Sequence, residues 1–219
     1  LITFEIGCML YSKTKLTILN PLLISIILTM IFLVKFHISL DCYNQGGHII
    51  SFFLGPSTIV LAVPLYKKIH LLKKHIIPIF VGICSGCCLG ITSVILLSRL
   101  FGLDSPITIS MLPKSVTTPI GIEISKQLGG ISAVTVGAII LTGILGAVIG
   151  PTVLGLVRVK NEVAIGIAIG TASHAVGTTK AVELGETEGA MSSLCIGIAG
   201  LATVFLAPLI YNLTNMILK

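Results

Sequence analysis

The feature that most constrains this chain is the run from residue 131 to residue 157, which carries no charged side chain. As a helix rising 1.5 Å per residue it is about 40 Å long, enough to cross the roughly 30 Å hydrocarbon core of a bilayer. Its glycines Gly137, Gly143, Gly146 and Gly150 suit close approach of a second helix. Residues 86 to 97 form another uncharged stretch. Over the 219 residues 54% are apolar and 10% charged, against about 25% charged in soluble domains, so a water-soluble globule is excluded. Dividing the length by helices of about 20 residues plus short loops predicts about seven or eight membrane segments in a single domain, 1–219. The expected fold class is all-α: a polytopic integral membrane protein.

The net charge of +6 fits membrane topology better than nucleic acid. The chain has no Trp and no basic stripe interleaved with aromatics, whereas Lys and Arg collect in cytoplasmic loops. The string KKIHLLKK at 67 to 74 is expected to be such a loop. The cysteines are Cys8, Cys42, Cys84, Cys87, Cys88 and Cys195, and most fall in apolar segments. CSGCC at 84 to 88 lacks the second ligand pair of a zinc site and reads as small-residue packing. No metal and no cofactor is expected. Because the sequence opens on Leu1 and not Met, its N-terminus is expected to be trimmed.

Along the chain, residues 1 to 11 read as the end of a helix, Asn20-Pro21 opens a second that runs to about Val34, and Lys35 to His48 reads as a polar loop. The segment 49 to 66 is apolar but interrupted at Gly55-Pro56-Ser57-Thr58 and Pro64, which predicts a broken helix. Ile76 to Leu100 and Ala190 to Leu218 read as spans.

Two stretches are too polar for lipid-facing helices. PITISMLPKSVTTPIGIEISKQLGG at 106 to 130 sets Lys114, Ser115, Thr117 and Thr118 between Pro113 and Pro119. VAIGIAIGTASHAVGTTKAVELGETEG at 163 to 189 encloses Thr171, Ser173, His174, Gly177, Thr178, Thr179 and Lys180. Each is followed by a clean span, a weak internal similarity of the kind transporter repeats leave. Charge placement favours a re-entrant 106 to 128, because a full crossing would put Arg158 and Lys160 outside.

Irregular backbone within a bilayer is tolerated only where protein buries it or it lines a wet cavity. Thr117 and Thr118 before Pro119 suit the opening of a helix, where free N–H groups and the dipole attract a carboxylate. Gly177-Thr178-Thr179, with Lys180 and His174, offers matching donors. Substrate-binding candidates are therefore Lys114, Ser115, Thr117, Thr118, Pro119, Thr171, Ser173, His174, Gly177, Thr178, Thr179 and Lys180. The alternatives are backbone capping for the threonines and snorkelling for the lysines, Lys126 included. Glu123 and His174 are candidates for proton or ion coupling, Glu123 equally for a lysine ion pair. Glu183, Glu186 and Glu188 read as a solvated loop. No nucleophile and base pair, phosphate loop or zinc motif is present, so an enzyme is not expected.

LPKSVTTPIGIEIS at 112 to 125, GTASHAVGTTKAVELGETEGAMSSL at 170 to 194 and FFLGPSTIVLAVPLYK at 52 to 67 resemble the LrgB/CidB family of bacterial membrane proteins. The resemblance extends over nearly the whole chain. It implies a multi-pass protein of the bacterial cytoplasmic membrane, with one of two functions. One is transport of small monocarboxylates such as pyruvate, lactate, glycolate or glycerate, since relatives are associated with pyruvate uptake and a plastid relative exchanges glycolate and glycerate. The other is antiholin-like or holin-like control of murein hydrolase export and autolysis. The implied partners are a small carboxylate, membrane lipid, an LrgA/CidA-type small membrane protein and a second copy of the chain. Broken helices bearing Lys, His and paired Thr favour the carrier, by alternating access.

Overall fold

The computed structural model describes residues 2–14, 19, 21–52, 66, 69–74 and 76–217. All regular secondary structure among them is helical. The Gly55 to Thr58 and Pro64 interruptions, Asn20, and Lys67 and Lys68 of the basic string lie outside the described residues. The chain divides into two compact units, Leu1–Leu61 and Ala62–Lys219.

The first unit contains α1 (Ile2–Thr14), α2 (Pro21–Lys35) and α3 (Leu40–Phe52). α1 and α2 run antiparallel. Thr3 Oγ1 lies 2.9 Å from Ser25 Oγ, and a Cβ on Gly7 would lie 2.7 Å from the carbonyl oxygen of Pro21. The polar stretch 35 to 48, expected as a loop, is helical from Leu40 onward. Ser39 Oγ accepts the Cys42 N–H at 3.3 Å, an N-cap bond, and Asp41 sits in the first turn, where the dipole favours an acid.

The second unit contains α4 (Ile69–Lys74), α5 (Ile76–Leu100), α6 (Ser105–Met111), α7 (Thr118–Leu128), α8 (Ser132–Leu156), α9 (Glu162–Leu184) and α10 (Glu186–Ile217). The basic stretch expected as a loop thus forms a short helix over its last six residues. Three described helices are long and apolar enough to cross a membrane: Ile76–Leu100, Ser132–Leu156 and Glu186–Thr214. α5 ends in a left-handed Gly102 (φ 65°), with the Leu103 N–H bonded to the carbonyl of Ser98 at 2.8 Å. α8 ends at Arg158 (φ 57°) in the same way, with the Val159 N–H on Leu154.

Two apolar clusters hold this unit. Ile79, Ile83 and Cys87 of α5 pack with Ala190, Met191, Cys195 and Ala199 of α10. Further along α5, Ile91, Val94 and Ile95 pack with Leu112, Ile124 and Ala207. Among spanning helices lipid supplies no hydrophobic drive for helix pairing, so close backbone approach matters more. The GIAIG string supplies it: a Cβ on Gly166 would lie 2.5 Å from the Glu188 carbonyl oxygen, and one on Gly170 2.6 Å from that of Ser192.

Candidate functional site: two helical hairpins and the cavity beside their junction

The segment 105–130 doubles back. α6 continues through turns at Leu112, Lys114 and Val116 that bond three residues back, and Thr117, extended at φ −67° and ψ 149°, starts α7 with Pro119 in its first turn. The expected helix opening at SVTTP is where α7 begins, although the Thr117 side chain makes no capping bond. A Cβ on Gly121 would lie 3.4 Å from the Pro113 carbonyl, while one on Gly130 would lie 3.0 Å from Ser110 Oγ. As one partner's number falls the other's rises, so α6 and α7 are antiparallel and both ends of the segment emerge together. Buried hydroxyls clamp them to α8: Ser110 Oγ accepts the Ile131 N–H at 2.7 Å, and Thr135 Oγ1 lies 2.7 Å from Ser125 Oγ.

α9 also doubles back, at His174, whose φ of 44° and ψ of −139° leave the helical region. Gly170 and Thr178 would stand about 12 Å apart along a straight helix, yet both touch Ser192: Thr178 Oγ1 lies 2.7 Å from its Oγ, and a Cβ on Gly170 would lie 2.8 Å from the same atom. Likewise a Cβ on Gly177 would meet Ile169 Cγ2 at 3.1 Å. The second polar stretch is therefore a hairpin with its tip at Ser173 and His174.

α8 joins the two hairpins, so the first opens at the start of that helix and the second at its end. Their tips approach from opposite ends and meet α8 at Ile139. A Cβ on Gly121 would collide with the Ile139 side chain, and His174 Nε2–H donates to the Ile139 carbonyl at 3.1 Å, which fixes that tautomer. Gly143 and Gly146 make room for the second tip, since a Cβ on Gly143 would lie 2.8 Å from His174 Cε1 and one on Gly146 would run into Ser173 Oγ.

Beside this junction lies a cavity of about 680 Å³. α5 forms one wall with Ile79, Gly82, Ser85 and Gly86; the first hairpin's tip contributes Lys114 and Ser115, and α9 contributes Ile167, Ala168 and Thr171, with Asn161 at its N-cap. Lys114 is half-buried, and its ammonium reaches Ser115 Oγ at 3.4 Å. Among the described residues no carboxylate lies within ion-pair reach of it. The Thr171 hydroxyl is buried and turned toward the Cys195 thiol of α10, a weak partner, while its Cγ2 methyl is the group that meets the α5 wall at Gly86.

Of the residues singled out from sequence, Lys114, Ser115 and Thr171 line the cavity. Thr117, Thr118 and Pro119 lie just past it at the start of α7. Ser173, His174, Gly177 and Thr178 are buried where the second tip packs on α8 and α10. The Thr178 hydroxyl donates to the His174 carbonyl at 2.9 Å, bracing the reversal. Thr179 is exposed and bonds the Val176 carbonyl. Lys180 pairs with Glu183 at 2.8 Å. Glu123 is exposed and accepts from Gln127 Nε2 at 3.0 Å, not from a lysine. Glu183 and Glu186 are exposed as expected for a polar end, but Glu188 is only 9% exposed because its side chain folds over Gly185. No group of three or more His, Cys, Asp or Glu converges among the described residues.

Sequence reasoning missed Ser85, Gly86 and Asn161 in the cavity and the buried hydroxyls of Ser110, Ser125, Thr135 and Ser192. Asn161 had a readable signal as an N-cap, and its Oδ1 accepts the Ala164 N–H at 3.0 Å. Isolated serines in apolar helices carry none, because the same letter serves a buried clamp and a bond to its own helix.

Comparison with known proteins bears on the whole chain. No solved structure matches it. It is 40% identical over 201 residues to the uncharacterized protein YxaC of Bacillus subtilis strain 168, covering 92% of this chain and 87% of that one. It is 38% identical over 210 residues to proteins named antiholin-like protein LrgB from Bacillus mycoides strain KBAB4 and Bacillus cereus strain B4264, in each case covering 95% of this chain and 91% of the relative. The LrgB-like family matches residues 1–213, and this membrane-helical chain belongs to that family.

Proposed function

We propose that this chain carries small monocarboxylates, of the pyruvate, lactate, glycolate and glycerate class, across the bacterial cytoplasmic membrane by alternating access. The observation that supports this most is the half-buried Lys114 ammonium, which lines the cavity beside the Ser115 hydroxyl and has no carboxylate partner among the described residues. A half-buried cation lacking a counter-ion is costly, and an arriving carboxylate offsets that cost. Two hairpins opening toward opposite ends of α8, with tips meeting it at Ile139, agree with the inverted arrangement of transporter repeats, in which the binding site sits at the repeat interface. Of the coupling candidates His174 is the better placed, being buried at a tip, whereas Glu123 is exposed. In this reading the protein is a multi-pass carrier and not an enzyme, and works as a homodimer or beside an LrgA/CidA-type small membrane protein.

The test is thermal stabilisation of the purified protein against pyruvate, lactate, glycolate and glycerate. A ligand at 100 times its Kd stabilises by about 2.7 kcal/mol. Replacing the charged hydrogen bond in Lys114→Gln weakens binding roughly ten- to a hundredfold. Absence of stabilisation by every acid, alone and with the LrgA-type partner, refutes the carrier. The name antiholin-like protein LrgB that relatives carry favours a second reading, an antiholin-like regulator, which here would act on murein hydrolase export and autolysis. A regulator keeps its effect on autolysis in Lys114→Gln; a carrier loses substrate flux.

A further inference from the structure

The cavity is far larger than a three-carbon acid needs. At about 30 Å³ per water, 680 Å³ holds roughly twenty waters, and a molecule of about six heavy atoms leaves most of it empty. Its shape follows from the register of its walls. A Cβ on Gly82 would lie 3.8 Å from Ile167 and one on Gly86 3.0 Å from Thr171, so α5 and the first half of α9 run side by side in one direction. Leu112, two residues before Lys114, packs on Ile91 and Val94 of α5. The first hairpin's tip therefore closes the Gly86 and Thr171 end of the groove. From there the groove continues past Gly82, Ile167 and Ala168 toward Ile79, about 10 Å along the helix, with walls that are apolar or glycine apart from Ser85 and, at the far end, Asn161. One end holds the Lys114 ammonium, without a carboxylate partner among the described residues, and the Ser115 hydroxyl; the rest is a mostly apolar slot.

We infer that the favoured ligand of this site is a monocarboxylate with an unbranched apolar tail, its carboxylate at Lys114 and Ser115 and its chain lying between α5 and α9 toward Ile79. This rests on the carrier reading for the carboxylate end and goes beyond it in naming the tail. Ala168 and Gly82 are the specificity-determining positions, since side chains larger than theirs would close the slot. An extended chain of about eight carbons fills the 10 Å of groove.

The experiment is calorimetric titration of the protein in phosphatidylcholine nanodiscs with acetate, butanoate, hexanoate, octanoate and dodecanoate, with empty nanodiscs subtracted. Each added methylene is expected to tighten binding about fourfold up to roughly eight carbons and not beyond. Lys114→Gln weakens every acid at least tenfold while Lys114→Arg, which keeps the charge, retains binding; an unchanged unfolding temperature certifies the fold of both. Ala168→Phe flattens the dependence on chain length. Equal affinity for acetate and octanoate, both lost in Lys114→Gln, overturns the tail and leaves the carrier standing. No binding of any acid overturns both. Length-dependent binding that octan-1-ol reproduces and Lys114→Gln leaves unchanged assigns the groove to membrane partitioning and overturns the inference. So does displacement of the acids when phosphatidylglycerol replaces phosphatidylcholine, which makes an anionic lipid the occupant.

Discussion

His174 holds a backbone conformation that L side chains avoid, φ 44° and ψ −139°, and this yields a reversal of sign between neighbouring residues. At an ordinary helical position glycine is about 0.5–1 kcal/mol worse than alanine, because the unfolded chain loses more freedom. At His174 the strain, of order 1–3 kcal/mol, falls on alanine and not on glycine. His174→Ala and His174→Gly both lose the bond to the Ile139 carbonyl and the packing of the imidazole against Gly143, so their difference isolates the backbone. Strain less the glycine penalty leaves His174→Gly up to about 2.5 kcal/mol more stable than His174→Ala. At about 2–4 °C per kcal/mol for a chain of this size, that is up to roughly 10 °C. Ala175→Gly, one residue on in the helical second arm, is the control and is expected to lose about 0.5–1 kcal/mol. The protein has no Trp, but Cys87 and Cys195 are buried, so a thiol-reactive dye in mild detergent reads unfolding as they become accessible. If His174→Gly melts at or below His174→Ala, the chain does not reverse at this residue.

Glycine clearances separate tight from open positions on the spanning helices. Gly170→Val drives a side chain into the Ser192 main chain, which cannot yield as a side-chain tip can, and is expected to destabilise by at least about 1–3 kcal/mol, whereas Gly197→Ala meets nothing and is expected to be neutral or up to about 1 kcal/mol stabilising in the same melt. Membrane sidedness follows from the hairpins. In a background with the exposed Cys8 and Cys42 changed to Ser, Asp104→Cys and Lys126→Cys are expected to label with an impermeant maleimide from one side of the membrane, and Lys160→Cys and Leu184→Cys from the other. Labelling of Asp104→Cys and Lys126→Cys from opposite sides refutes the first hairpin.

What the sequence determined by itself was local. An uncharged run such as 131 to 157 has few fates other than a spanning helix, and Pro119 after two threonines marks the start of one wherever it occurs. Lysine, histidine and hydroxyls amid apolar flanks marked both polar segments as special, and the family strings around them were readable without a structure. Tertiary structure decided what those residues face. The letters of GTASHAVGTTK marked a broken segment but did not place a reversal at His174, because one φ/ψ pair sets the turn and Ser192, Gly143 and Gly146 hold it from distant parts of the chain. Length division counts each polar segment as a crossing, but a hairpin returns to the end it came from. Lys114 and Lys180 looked alike in sequence, each a cation among small residues. The fold turned one into a cavity without an acid partner and left the other beside Glu183, because whether a lysine is paired depends on side chains that meet in space.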